Sequence, residues 1–144
     1  MENLNQQTIH DVWQRVQQKP TPADSPDLMP LIIGLQQEAS ILNALYKRTN
    51  RTAVQQLIKQ VASHIACIKG MMNLSGQRPQ DTPLPHAKNE PTSALFRRGY
   101  TNMLGRLTEY EKRTSDAAFG PVFHTLAAET RSALRTLTEL SAGI

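Results

Sequence analysis

Three ionisable side chains, Glu38, His64 and Glu129, stand in stripes that are otherwise apolar. Each occupies a step in a three-four repeat, the spacing that turns one helix face toward a core. A carboxylate or imidazole buried there is costly unless it is paired, hydrogen-bonded or bound to a metal. Two chemistries fit these groups. Two carboxylates and one imidazole can hold a single Fe(II), Mn(II) or Zn(II), with water completing the shell. The same groups can instead form a metal-free cluster in which Glu38 and Glu129 clamp a protonated His64.

The other reactive residue types carry less. Cys67 flanks the seam with no base placed near it by spacing, so it reads as a small hydrophobe and not as a nucleophile. Met71, Met72 and Met103 fall at helical intervals and read as core fillers. His10, His86 and His124 occur singly, and Glu109 and Glu111 flank Tyr110 on what reads as a solvated face. No glycine-rich phosphate loop, Ser-His-Asp pattern or HExxH motif occurs. A single cysteine excludes an internal disulfide framework and a CxxC zinc knuckle.

The elements that must position Glu38, His64 and Glu129 follow from the same spacing. Residues 8–18 space Ile9, Val12, Trp13 and Val16 as a short amphipathic helix, and residues 19–24 read as a linker. A first long helix starts near Ser25-Pro26-Asp27, with Ser as N-cap, and ends near Lys47-Arg48. Its seam is Leu28, Leu31, Leu35, Glu38, Leu42 and Leu45. A second starts near Asn50 or Thr52, where Thr52-x-x-Gln55 fits a capping box. Its seam is Val54, Leu57, Val61, His64, Ile68 and Met71, and Gly76 is its stop. The link between these two helices is short, so they must be antiparallel neighbours.

Residues 77–91 hold four prolines and form a linker of about fifteen residues, long for a compact domain and suited to a crossover. A third helix begins near Thr92 or Ser93 with the seam Phe96, Tyr100, Met103, Leu107 and Tyr110. After a break at Arg113-Thr114-Ser115-Asp116, a fourth carries Phe119, Val122, Leu126, Glu129, Ala133, Leu137 and Leu140. Either Asp116 caps it or Pro121 opens it. The two hairpins resemble each other in length and in their polar mid-helix seam residues, which suggests an internal duplication.

Composition narrows the function classes. The chain of 144 residues suits one domain that buries its own core. Its net charge of +4 comes from dispersed basic residues, with only pairs at Lys47-Arg48 and Arg97-Arg98. No basic cluster or nucleic-acid module is present, so no nucleic-acid partner is expected. The polar start and the shortness of every apolar run predict no secretory signal, no membrane partner and a cytoplasmic protein.

Ferritin-like di-iron bundles place a Glu on the first and third helices and Glu-x-x-His on the second and fourth. The present chain resembles that superfamily, in particular the small rubrerythrin-type ferritin-like proteins of anaerobic bacteria. The matching stretches are Leu31-Ile-Ile-Gly-Leu-Gln-Gln-Glu38 and Val61-Ala-Ser-His64. In the second half they are Arg97-Arg-Gly-Tyr-Thr-Asn-Met103 and Ala127-Ala-Glu-Thr-Arg-Ser132. Asp11-Val-Trp-Gln-Arg15 is similar to a leader helix of those proteins. The resemblance implies an all-α, ferritin-like antiparallel four-helix bundle over 25–144, two helical hairpins joined by a long crossover. A short N-terminal helix with its linker, 1–24, would precede it.

The departures from the pattern decide what function it implies. Val61, Met103 and Ser132 stand where metal ligands would be, leaving Glu38, His64 and Glu129 as a residual half-site. The resemblance therefore implies a bundle that is non-catalytic or binds a single Fe, Mn or Zn ion weakly. The metal-free cluster is preferred, because a half-filled shell binds weakly. Two rivals stand beside it. One is a mononuclear metal oxidoreductase acting on peroxide or oxygen species. The other is a helical interaction module, a homodimer joined through Trp13 and its apolar neighbours, although that helix is better read as covering one end of its own bundle.

Overall fold

The computed structural model describes residues 27–80 and 90–143, and among them every regular element is a helix. The expected short helix at 8–18, its linker, Ser25 as N-cap and the middle of the crossover lie outside the described residues. Four helices are present: α1 Met29–Thr49, α2 Thr52–Leu74, α3 Thr92–Lys112 and α4 Gly120–Ala142.

Local chemistry sets their ends. At α1 the Asp27 carboxylate accepts the Met29 N–H at 3.0 Å, and Pro30 sits in the first turn, where its missing N–H costs nothing. Lys47 and Arg48 complement the other end, and Asn50 terminates it with a left-handed φ of 52°. The expected capping box at Thr52 does not form: Arg51 is the N-cap, with no side-chain bond. α2 ends in a Schellman motif around Gly76, φ 78°. There the Gln77 N–H reaches Met72 O at 2.7 Å and the Gly76 N–H reaches Asn73 O at 3.3 Å. Before α4 the Asp116 carboxylate accepts the N–H groups of Ala118 and Phe119, each at 2.8 Å. Gly120 follows because a Cβ there would lie 2.4 Å from Thr114 O.

The helices form two antiparallel hairpins, α1–α2 and α3–α4, with α1 also packed along α3 and α2 meeting α4 more sparingly. Contacts at the helix ends fix the directions. Arg48 at the end of α1 bonds Glu90 O just before α3, and Arg113 after α3 bonds Asp27 O before α1 at 3.2 Å. α1 and α3 are therefore antiparallel, and α2 and α4 must be antiparallel too. Gln77 touches the start of α1, its Oε1 accepting the Leu28 N–H at 3.0 Å, whereas Glu90 lies at the opposite end of the bundle. The connection between hairpins thus links opposite ends, and α2 and α3 run parallel, as the long crossover predicted.

The seams of α1 and α2 are buried at every expected position. Those of α3 and α4 are not. On α3 Tyr100 is 41% exposed, while Gly99 and Arg106 face inward. On α4 the inward line is Phe119, Phe123, Leu126, Thr130, Ala133, Leu137 and Leu140, one residue out of phase with Val122 and Glu129. Gly99 marks the close approach of α1, α3 and α4: a Cβ there would lie 3.5 Å from both Ile41 and Leu137. No described helix is long and apolar enough to cross a membrane.

Candidate functional site

Packing of α1 against α3 buries Glu38 completely and brings Arg106 beside it. Arg106 Nη2 lies 3.0 Å from Glu38 Oε2, and both side chains are almost wholly shielded from solvent. The approach is close, but the atoms are not aligned as a hydrogen bond, and Nε and Nη1 of Arg106 also lack an acceptor. The contact is therefore an ion pair governed by charge and not by bidentate geometry. Asn102, one turn before Arg106, donates to Gly34 O at 2.8 Å and more weakly to Glu38 Oε1 at 3.4 Å. Burial pushes the Glu38 carboxyl up from 4.5 to about 7, with Arg106 and then Asn102 opposing the rise.

His64, on α2, faces a different set of partners. Its Nδ1 is 3.1 Å from the Tyr110 hydroxyl and its Nε2 is 3.0 Å from Glu129 Oε1. An ionised carboxylate only accepts, so Nε2–H donates to Glu129 and the Tyr110 O–H donates to Nδ1. A neutral imidazole of one tautomer satisfies both bonds. Burial and then the Arg106 charge lower the His64 pKa, against the pull of Glu129. Tyr110 is itself buried, and burial raises its phenol pKa. Its ring lies 5.7 Å from the imidazole and 6.0 Å from Phe123, centre to centre, and Arg106 sits 5.8 Å from its centroid.

The structure thus divides the expected trio. His64 and Glu129 meet, but Glu38 pairs with Arg106. Among the described residues no three His, Cys, Asp or Glu side chains form a group that could hold a metal ion. Two expectations are corrected here. The carboxylates do not jointly clamp a protonated His64, because Glu38 has another partner and burial lowers the His64 pKa. Glu129 is not a core residue: its side chain is 48% exposed, and Thr130 takes the inward position, its hydroxyl donating to Leu126 O at 2.7 Å. Of the three positions where the resemblance would put further ligands, Val61 and Met103 carry buried apolar side chains and Ser132 is exposed.

The remaining candidates take the places expected of them or lose interest. Cys67 is partly buried against the core, and burial raises its thiol pKa, so it is no activated nucleophile. Glu109 and Glu111 make surface pairs with Lys112, Arg113 and Arg131. The residues missed from the sequence are Arg106, Asn102 and Tyr110 in its bonding role. A signal for two of them existed: Phe96, Gly99, Met103, Arg106 and Tyr110 keep a strict three-four spacing on α3.

Fold and site together define an antiparallel four-helix bundle with a polar, hydrogen-bonded core layer. Compared with known proteins, the chain matches no family model, no curated protein and no solved structure.

Proposed function

We propose that this chain is a ferritin-like bundle whose mid-core polar layer is metal-free and structural, so that the protein works as a non-catalytic helical scaffold. One observation carries the reading: the guanidinium of Arg106 lies against Glu38, supplying the positive charge that a metal ion would otherwise bring. A cation entering the layer through Glu38 would have to displace that guanidinium and leave it buried without a counter-charge, a cost of several kcal/mol by order of magnitude. The vacated positions offer no replacement donor, since Val61 and the thioether of Met103 are packed into the core. The donor set present does not fit a di-iron centre. The crossover connectivity and the mid-helix placement of Glu38 and His64 support the ferritin-like part of the reading.

The experiment is thermal unfolding of the chain after exhaustive chelation, then with Fe(II) under anaerobic conditions, Mn(II) or Zn(II). A ligand that binds only the folded state must raise Tm. The reading predicts a cooperative transition in chelator and the same Tm with each metal. A rise in Tm with any one metal, lost in His64→Ala, would replace it with a mononuclear site built on His64 and Glu129.

A further inference from the structure

A groove of about 540 Å³ runs along the α1–α3 seam, a size typical of small-molecule sites. Its long wall carries Arg97, Arg98 and Arg106 on α3 and Arg113 just after it, against a single acid, Glu109. The middle is open for a defined reason. Gly34 on α1 and Gly105 on α3 both line it, and a Cβ built on either meets nothing within 4 Å. Glycine inside a helix is unfavourable relative to alanine, and neither glycine here serves a close helix contact or a turn. Their effect is to leave room between the two helices.

Charge is uneven along the groove. At one end Arg113 lies 3.7 Å from Glu109, so an incoming anion would meet a carboxylate there. At the other end Arg97 and Arg98 are exposed, and among the described residues the acid that engages them is Glu90, paired with Arg98. Between the ends Arg106 forms part of the wall, nearly buried, with guanidinium nitrogens that lack hydrogen-bond acceptors. Buried donors without acceptors call for an explanation, although the charge of Arg106 is met by Glu38. Leu31 and Ile41 add apolar lining on the α1 side.

We propose that this groove binds a small organic oxyanion, a carboxylate or phosphate monoester with an apolar body. Its charged end pairs with Arg97 and Arg98, and its body lies over Gly34 and Gly105. Guanidinium pairs well with either oxyanion, while the lining of Leu31, Ile41 and the glycines selects against a bare inorganic ion. The proposal is independent of whether the polar core layer holds a metal.

The test is titration of the full chain with hexyl phosphate, hexanoate, inorganic phosphate and 1-hexanol, followed through the backbone amide NMR signals of Gly34 and Gly105. Saturable shifts of both signals are expected with hexyl phosphate or hexanoate, with affinity at least about tenfold weaker for inorganic phosphate and for 1-hexanol. Two variants locate the site. Gly105→Leu fills the groove where the structure has space, so its Tm should equal or exceed the parent's while binding is lost. Arg97→Ala with Arg98→Ala should weaken binding at least about tenfold with the fold unchanged. Absence of shifts with both organic anions overturns the proposal. So does binding that survives Gly105→Leu, equal binding of 1-hexanol, or equal binding of inorganic phosphate.

Discussion

The two halves of the polar layer solve one problem in opposite ways. Between α1 and α3, Glu38 and Arg106 are sealed together, and neither can turn to water. Among α2, α3 and α4, the buried groups Tyr110 and His64 form a chain of bonds that ends on Glu129, whose carboxylate is half in solvent. A sealed pair is only as good as both of its members, since removing one strands a charge in a low-dielectric interior. A chain with a wet end can lose a member and let water repair part of the damage. Burial acts on both arms, raising the pKa of Glu38 in one and lowering that of His64 in the other.

The largest test of this contrast is Arg106→Leu at pH 8, where Glu38 is ionised. It should cost about 3–5 kcal/mol in urea unfolding, because Glu38 must then stay buried without a counter-charge or take up a proton far above its unfolded-state pKa. Adding Glu38→Leu to the same chain should recover most of that loss, since apolar replacement of a whole buried pair is often neutral or better. A loss below about 1 kcal/mol in the single variant, the range of an exposed pair, would mean that the sealed arm is not sealed.

The pH profile gives the next effect, with opposite signs in the two arms. Glu38 has its pKa raised to about 7 from 4.5, so the folded state holds a proton that the unfolded state has released. Its contribution is present in full below pH 4.5 and is lost as pH rises to about 7, by about 3 kcal/mol in all. His64 has its pKa lowered from 6.5, so its contribution is present above that value and is lost as pH falls through the lower folded-state value. Stability of the parent minus that of Glu38→Gln should therefore decline with rising pH, and parent minus His64→Leu should decline with falling pH. Two differences of the same sign would erase the distinction.

Smaller effects belong to the wet arm. His64→Leu removes the acceptor of the Tyr110 hydroxyl and should cost about 1–3 kcal/mol. Glu129→Ala should cost less than about 1 kcal/mol, because its partner bond is at the solvent boundary. A Glu129 effect as large as that of Arg106 would show that the chain does not end in water.

How legible this was depends on the helix. In α1 and α2 the seams Leu28 to Leu45 and Val54 to Met71 offered one continuous apolar phase, and every expected residue is buried. The last helix offered two phases a single residue apart, through Val122 and Glu129 or through Phe123 and Thr130. At 3.6 residues per turn the two lines are near neighbours, and the larger Phe123 ring decides between them by taking the core. On α3 the same ambiguity hid Arg106, because a charged residue reads as solvent-facing until a buried carboxylate is known to oppose it. Pairing across helices is a property of packing, so Glu38 with Arg106 and His64 with Tyr110 could not be read from spacing along one helix. The hairpins and the crossover were legible because turn chemistry is local: Asn50, Gly76 and Asp116 each act within a few residues.

Arg106 supplies the positive charge opposite Glu38, and on the proposed function the layer binds no metal. The most direct measurement is metal content per chain by mass spectrometry, after anaerobic loading with Fe(II), Mn(II) or Zn(II) and removal of excess. The account predicts no retained metal in the parent chain. Retention of about one ion per chain, abolished by Glu129→Ala or His64→Ala, would contradict it, since that stoichiometry is what a single residual site would hold.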